Sequence, residues 1–136
     1  MWHTLRTPAG HWSEWGDVTR AAGATGPVTA VTLAGTGADA HLVVATDAGT
    51  RQYHAMRRAN GTWEGFAELK GGLGAVTVSS VAGAAVDGEF QLGATTTTGK
   101  VLHTARRTDR TWSAAAPVTL TGADGTPSAV WLAGTL

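Results

Sequence analysis

Apolar and polar residues alternate along this chain in short runs, and turn residues separate the runs. "VTAVTLA" (28–34), "AHLVVAT" (40–46), "RQYHAMRR" (51–58) and "TWEGFAEL" (62–69) have the length and the β-branched or aromatic content of strands. "GTGAD", "DAGT" and "ANG" lie at the joints and place Gly, Asp or Asn where the backbone must reverse. The pattern predicts a four-stranded antiparallel meander.

The same pattern recurs. "YHAMRRANGTW" (53–63) returns as "LHTARRTDRTW" (102–112) and stands near the start as "WHTLRTPAGHW" (2–12). His3, His54 and His103 are 51 and 49 residues apart, and Trp12, Trp63 and Trp112 keep the same intervals. A first-strand phrase also recurs, as "VTAVTLAG" (28–35), "VTVSSVAG" (76–83) and "PSAVWLAG" (127–134), and "AHLVVATDAG" (40–49) matches "GEFQLGATTTTG" (88–99). A repeat of about fifty residues with four strands is the signature of a β-propeller blade, which cannot bury both faces alone and stacks on its neighbours. The expected fold is therefore all-β, a propeller of four-stranded antiparallel blades, with a stacked prism-like array as the alternative. The expected units are a partial blade at 1–18, whole blades at 19–69 and 70–118, and a partial blade at 119–136. Two whole blades are too few to close a ring, so closure is expected through homo-oligomerisation, with a dimer favoured. Two copies would give four whole blades and two composite ones, the composite blades lacking a counterpart to "AHLVVAT". The same framing is consistent with a natural or engineered piece of a longer propeller.

Composition narrows the function classes. Ten Lys and Arg balance ten Asp and Glu, so no net field gathers nucleic acid or an anionic membrane surface. The absence of cysteine removes disulfides, thiolate nucleophiles and zinc-thiolate sites. No apolar run approaches the roughly 20 residues of a spanning helix, and a soluble chain is expected.

Catalytic signatures fail on spacing. "GATTTTGKV" (93–101) has five residues between Gly93 and Gly99 where a phosphate loop has four, and Val101 stands where Ser or Thr would hold magnesium. It is a turn, aligned with "ATDAGTRQ" in the preceding unit. No serine sits in G-x-S-x-G, and the histidines form no pair at metal-ligand spacing. Asn60-Gly61-Thr62 matches a glycosylation sequon, but the repeat reads it as a hairpin turn. No enzyme activity, metal or cofactor is expected.

What recurs once per unit is a polar and aromatic set: His3, Arg6 and Trp12; His54, Arg57 and Trp63; His103, Arg106 and Trp112. An aromatic face suits the apolar side of a pyranose ring and a guanidinium suits its hydroxyls, so these nine residues are the candidate carbohydrate-binding positions. A repeat also repeats its structural residues, and the Trp is expected to pack between blades.

"HLVVATDAGTRQYHAMRRANGTWEGFAELKGG" (41–72) resembles the repeat of the PLL-like bacterial propeller lectins and related actinobacterial tandem repeats, with its apolar strand, D-G-type turn, aromatic-His strand, G-x-W and closing Gly pair. The likeness extends over two full and two partial repeats. It implies a propeller with sites for fucose or a related sugar between adjacent blades, in a secreted or host-associated protein. Two departures stand out: fewer repeats than a full ring, and Ala115 where Trp15 and Phe66 stand in the other units.

Overall fold

The computed structural model describes residues 1–69, 72–122 and 124–134. Lys70, where the second whole unit was expected to begin, and the last two residues of the closing segment lie outside the described residues. The chain opens with β1 (Trp2–His3), β2 (Gly16–Asp17) and one short helix, α1 (Val18–Ala22). Two meanders follow: β3 (Val28–Thr36), β4 (Asp39–Thr46), β5 (Arg51–Arg57) and β6 (Trp63–Glu68), then β7 (Val78–Val86), β8 (Glu89–Thr96), β9 (Val101–Arg106) and β10 (Ala116–Pro117). Each meander is a four-stranded antiparallel sheet in sequential order, and β3 runs alongside β7 so that the two sheets stack. The architecture is all-β with antiparallel sheets, and these sheets do not close into a ring within the chain.

The sheets form where apolar side chains have two faces to cover. Positions 41–46 of β4 are all buried, which is why "HLVVAT" reads as a continuous run and not as an alternation. Its odd positions Val43 and Ala45 join Val78, Val81, Phe90 and Leu92 in the core between the sheets. Its even positions Leu42 and Val44 pack with Ala55, Val18 and Ala22 on the opposite face. Fully burying a residue such as Val43 contributes about 1.5–3 kcal/mol, so β4 anchors both layers. No signal of strand periodicity foretold α1. It is nucleated by Asp17, whose Oδ1 accepts from the backbone N–H of Thr19 at 2.9 Å and of Arg20 at 3.3 Å.

The three His-containing hairpins are built alike. The amides of Thr7, Arg58 and Arg107 donate to the carbonyls of His11, Thr62 and Thr111, closing turns with a left-handed residue at Gly10, Gly61 and Arg110. Asn60 belongs to such a turn, its Oδ1 accepting from the amide and the hydroxyl of Thr62. The segment at 96–100 is likewise a turn, in which Thr96 and Lys100 are hydrogen bonded.

Three expectations change in detail. First, Thr29 Oγ1 donates to the Ala45 carbonyl and Ser79 Oγ to the Thr95 carbonyl, at equivalent irregularities near the start of β3 and β7. This aligns Val28 with Val78, two residues later than the "VTVSSVAG" match. A slip of two keeps every side chain on its face, so alternation alone cannot detect it. Second, the fourth strand of the second meander shrinks to Ala116–Pro117, preceded by an isolated bridge between Arg106 and Trp112, as the first hairpin pairs Arg6 with Trp12 ahead of Gly16–Asp17. Third, 127–134 was expected to open another meander, yet it forms no ladder. It lies on the second sheet instead, with the Val130 amide donating to Ser80 Oγ at 3.2 Å. Among the described residues no helix is long and apolar enough to cross a membrane.

Candidate functional site

The stacking of the meanders separates residues that the sequence groups together. His54 and Arg57 lie three apart on β5, and residues three apart on a strand face opposite sides. His54 turns toward the second sheet and is buried against Phe90 and Trp112. Arg57 turns the other way, into a cavity shared with His3 and Trp63. The set His54, Arg57 and Trp63 therefore does not line one groove. The histidine of one unit meets the tryptophan of the next: His3 stands edge-on to Trp63 at 5.4 Å, and His54 edge-on to Trp112 at 5.3 Å. His103 bonds Gln91 through Nε2 at 2.8 Å, while Arg6 and Trp12 are exposed on the first hairpin.

His54 has a partner that the repeat does not announce. His41 Nδ1 lies 3.0 Å from His54 Nε2, and His41 Nε2 lies 3.0 Å from Thr36 Oγ1. The His41 ring also stacks on Phe90 at 5.1 Å. Burial drives the His41 pKa down to about 4 and that of His54 to about 3, with the Arg106 charge pushing both the same way. Both rings are neutral near pH 7, and one donates to the other in a chain that runs from Thr36. The second unit has Gln91 at the place of His41, so repetition gave no signal here.

Beside this chain lies a groove between the two sheets, of about 180 Å³, lined by Thr36 and His41 from one unit and by Arg106, Arg107 and Arg110 from the other. Arg58 closes its floor. It is held between Asp39, at 2.9 Å, and Glu64, and Glu64 also faces Arg110 at 3.8 Å. The guanidinium holds the Asp39 carboxyl below the usual carboxylate range. Arg106 lies 5.7 Å over the Trp112 ring, and burial pushes its pKa down. Its Nε is buried without a hydrogen-bond partner among the described residues, and Arg57 Nε, its counterpart one unit earlier, is in the same condition.

Of the nine sequence candidates, only Arg106 enters this groove directly, with Trp112 stacked beneath it. Asp39, His41 and Arg110 went unnoticed because they do not recur, whereas Arg58 and Arg107 recur at the same place in their hairpins and were passed over beside Arg57 and Arg106. One clue was available for Arg110: it stands where the other hairpins have Gly10 and Gly61, and it adopts φ 68° there. A bulky residue held in the left-handed region is a local strain that the surroundings must maintain. No family model matches the chain, and no curated protein matches it.

Proposed function

We propose that the chain is a non-catalytic carbohydrate-binding segment of a β-propeller, with shallow sugar sites in the grooves between consecutive four-stranded units. The observation that carries this reading is the groove between the sheets, which Arg106, Arg107 and Arg110 line with three guanidinium-bearing side chains. Arg107 and Arg110 add planar, multidentate donors, and the Asp39–Arg58–Glu64 network fixes the floor. The resemblance to propeller lectins favours a fucose-like monosaccharide and a secreted parent protein.

Glycan-array screening followed by calorimetry tests the reading. Arg106→Ala should weaken the best ligand roughly tenfold to a hundredfold, the loss of one charged donor, with the fold intact. Absence of binding to every glycan, or unchanged affinity in Arg106→Ala, would refute it.

A second reading, a propeller segment whose main property is self-assembly into a homo-oligomeric ring, is favoured by one observation. Each joint between units carries the same His–Trp contact, and among the described residues His103 and Trp12 lack theirs. Both readings share a ring of four-stranded blades.

A further inference from the structure

The two open faces of the chain are the two halves of the joint that the meanders make with each other, and both are apolar and exposed. On β3, Thr32 faces the second sheet, while Val31 and Leu33 face away and are 54% and 57% exposed. These two wall a cavity of about 670 Å³ together with Ala40, Leu42 and Trp63. At the other end, segment 126–134 lies on the second sheet in the place that β7 takes on the first. Gly49 meets the Val78 carbonyl, and its counterpart Gly99 meets Thr126. The Gly83 amide donates to Thr32 Oγ1 at 2.8 Å, and the Val130 amide donates to Ser80 Oγ. This placement puts Trp131 at the position of Thr32, the residue that reaches across to the following unit. Trp131 is 84% exposed.

Inside the chain the joint consists of Thr32, Gly83 and Phe90, with the Phe90 ring folded over Gly83 so closely that a Cβ there would strike it. At the open face of β3 the counterparts of Gly83 and Phe90 are Leu33 and Ala40. The counterpart of Thr32 on the opposite end is Trp131. Each face thus offers an exposed apolar side chain, Leu33 on one and Trp131 on the other. An exposed apolar face and an exposed tryptophan are each unfavourable in water, and the cavity beside Leu33 and Ala40 offers apolar walls that a tryptophan ring can cover.

We propose that the open face of the first sheet, at Leu33 and Ala40, receives Trp131 of a second copy of this chain, head to tail. In the same joint Trp12 of the recipient closes on His103 of the donor, restoring the third His–Trp contact. The proposal rests on the ring-forming reading above and names the surfaces that form the ring.

Light scattering on the full chain, alone and in mixtures, tests it. The parent should show a multiple of 13.9 kDa. Trp131→Thr and Leu33→Glu, both at exposed side chains, should each weaken association at least about thirtyfold, as loss of a central anchor does. Mixed together, the two variants should associate again, because one supplies an intact Trp131 and the other an intact Leu33. A monomeric parent overturns both the ring and this contact. A parent that associates while both variants associate equally well overturns the contact and leaves the ring standing, as does failure of the mixture to recover. Trp131→Cys on one chain and Leu33→Cys on another give an independent check, since the protein has no cysteine of its own. A disulfide-linked dimer should form in the mixture, and its absence under oxidation counts against the joint whatever the folding of the other variants.

Discussion

Acidification should unfold this protein through His41 and His54 before its carboxylates titrate. Both rings are buried, 3.0 Å apart, and their pKa values are lowered to about 4 and about 3 from an unfolded value of 6.5. A histidine with a depressed pKa binds its proton more readily when unfolded, so its contribution is fully present above pH 6.5. That contribution is lost as the pH falls from 6.5 toward the folded value. Each histidine then removes about 1.4 kcal/mol per pH unit. With both acting, stability should fall by up to roughly 3 kcal/mol per unit below pH 6, or roughly 5 kcal/mol by pH 4.5, against a typical total of about 5–15 kcal/mol. Asp39 and Asp109, whose carboxyls are held low, act in the same direction but only near and below pH 4. The second unit supplies a control, because Gln91 already stands where His41 does and bonds His103. His41→Gln should keep a hydrogen bond to His54 and reduce the slope to about half. Urea titrations from pH 7.5 to 4.5 measure it. Flat stability between pH 6 and 5, or an unchanged slope in His41→Gln, would refute the assignment of two buried neutral rings.

Phe90→Ala should cost about 3–5 kcal/mol in urea unfolding at pH 7, because the ring is fully buried against His41 and over Gly83; a loss below 1 kcal/mol would mean the sheets collapse without it. Arg110→Gly should raise stability by about 0.5–1 kcal/mol by relieving φ 68°, while weakening sugar binding; calorimetric melting and glycan titration separate the two effects. Gly49→Ala combines φ 87° with a Cβ driven into the Val78 carbonyl. It should therefore lower the unfolding free energy from urea titration by more than the roughly 1 kcal/mol of a left-handed alanine alone.

The units of the fold were legible in the chain because strand, turn and repeat are all local properties. Apolar runs bounded by Gly, Asp and Asn located β3 to β6 within two residues, and the hairpin phrase located its own turn three times over. The candidate site was legible only in part. Arg106 and Trp112 stand out by repetition, whereas Asp39 and His41 occur once and gain their meaning from the sheet packed against them. His54 and Arg57 looked like neighbours in sequence and were divided by the pleat of β5. The helix at Val18–Ala22 is too short to show a period, and the Asp17 cap together with the covered faces of Val18 and Ala22 holds it in place.

The sequence by itself determined that this chain makes meanders of about fifty residues and that each carries a His, an Arg and a Trp at fixed places. The tertiary structure alone decided which of these meet, since the period-2 pleat sends each His forward and each Arg back, so that a joint draws its residues from two units. It also decided the protonation of His41 and His54, because a pKa depends on the water excluded by Phe90 and on the nearby Arg106, neither of which is close in the chain.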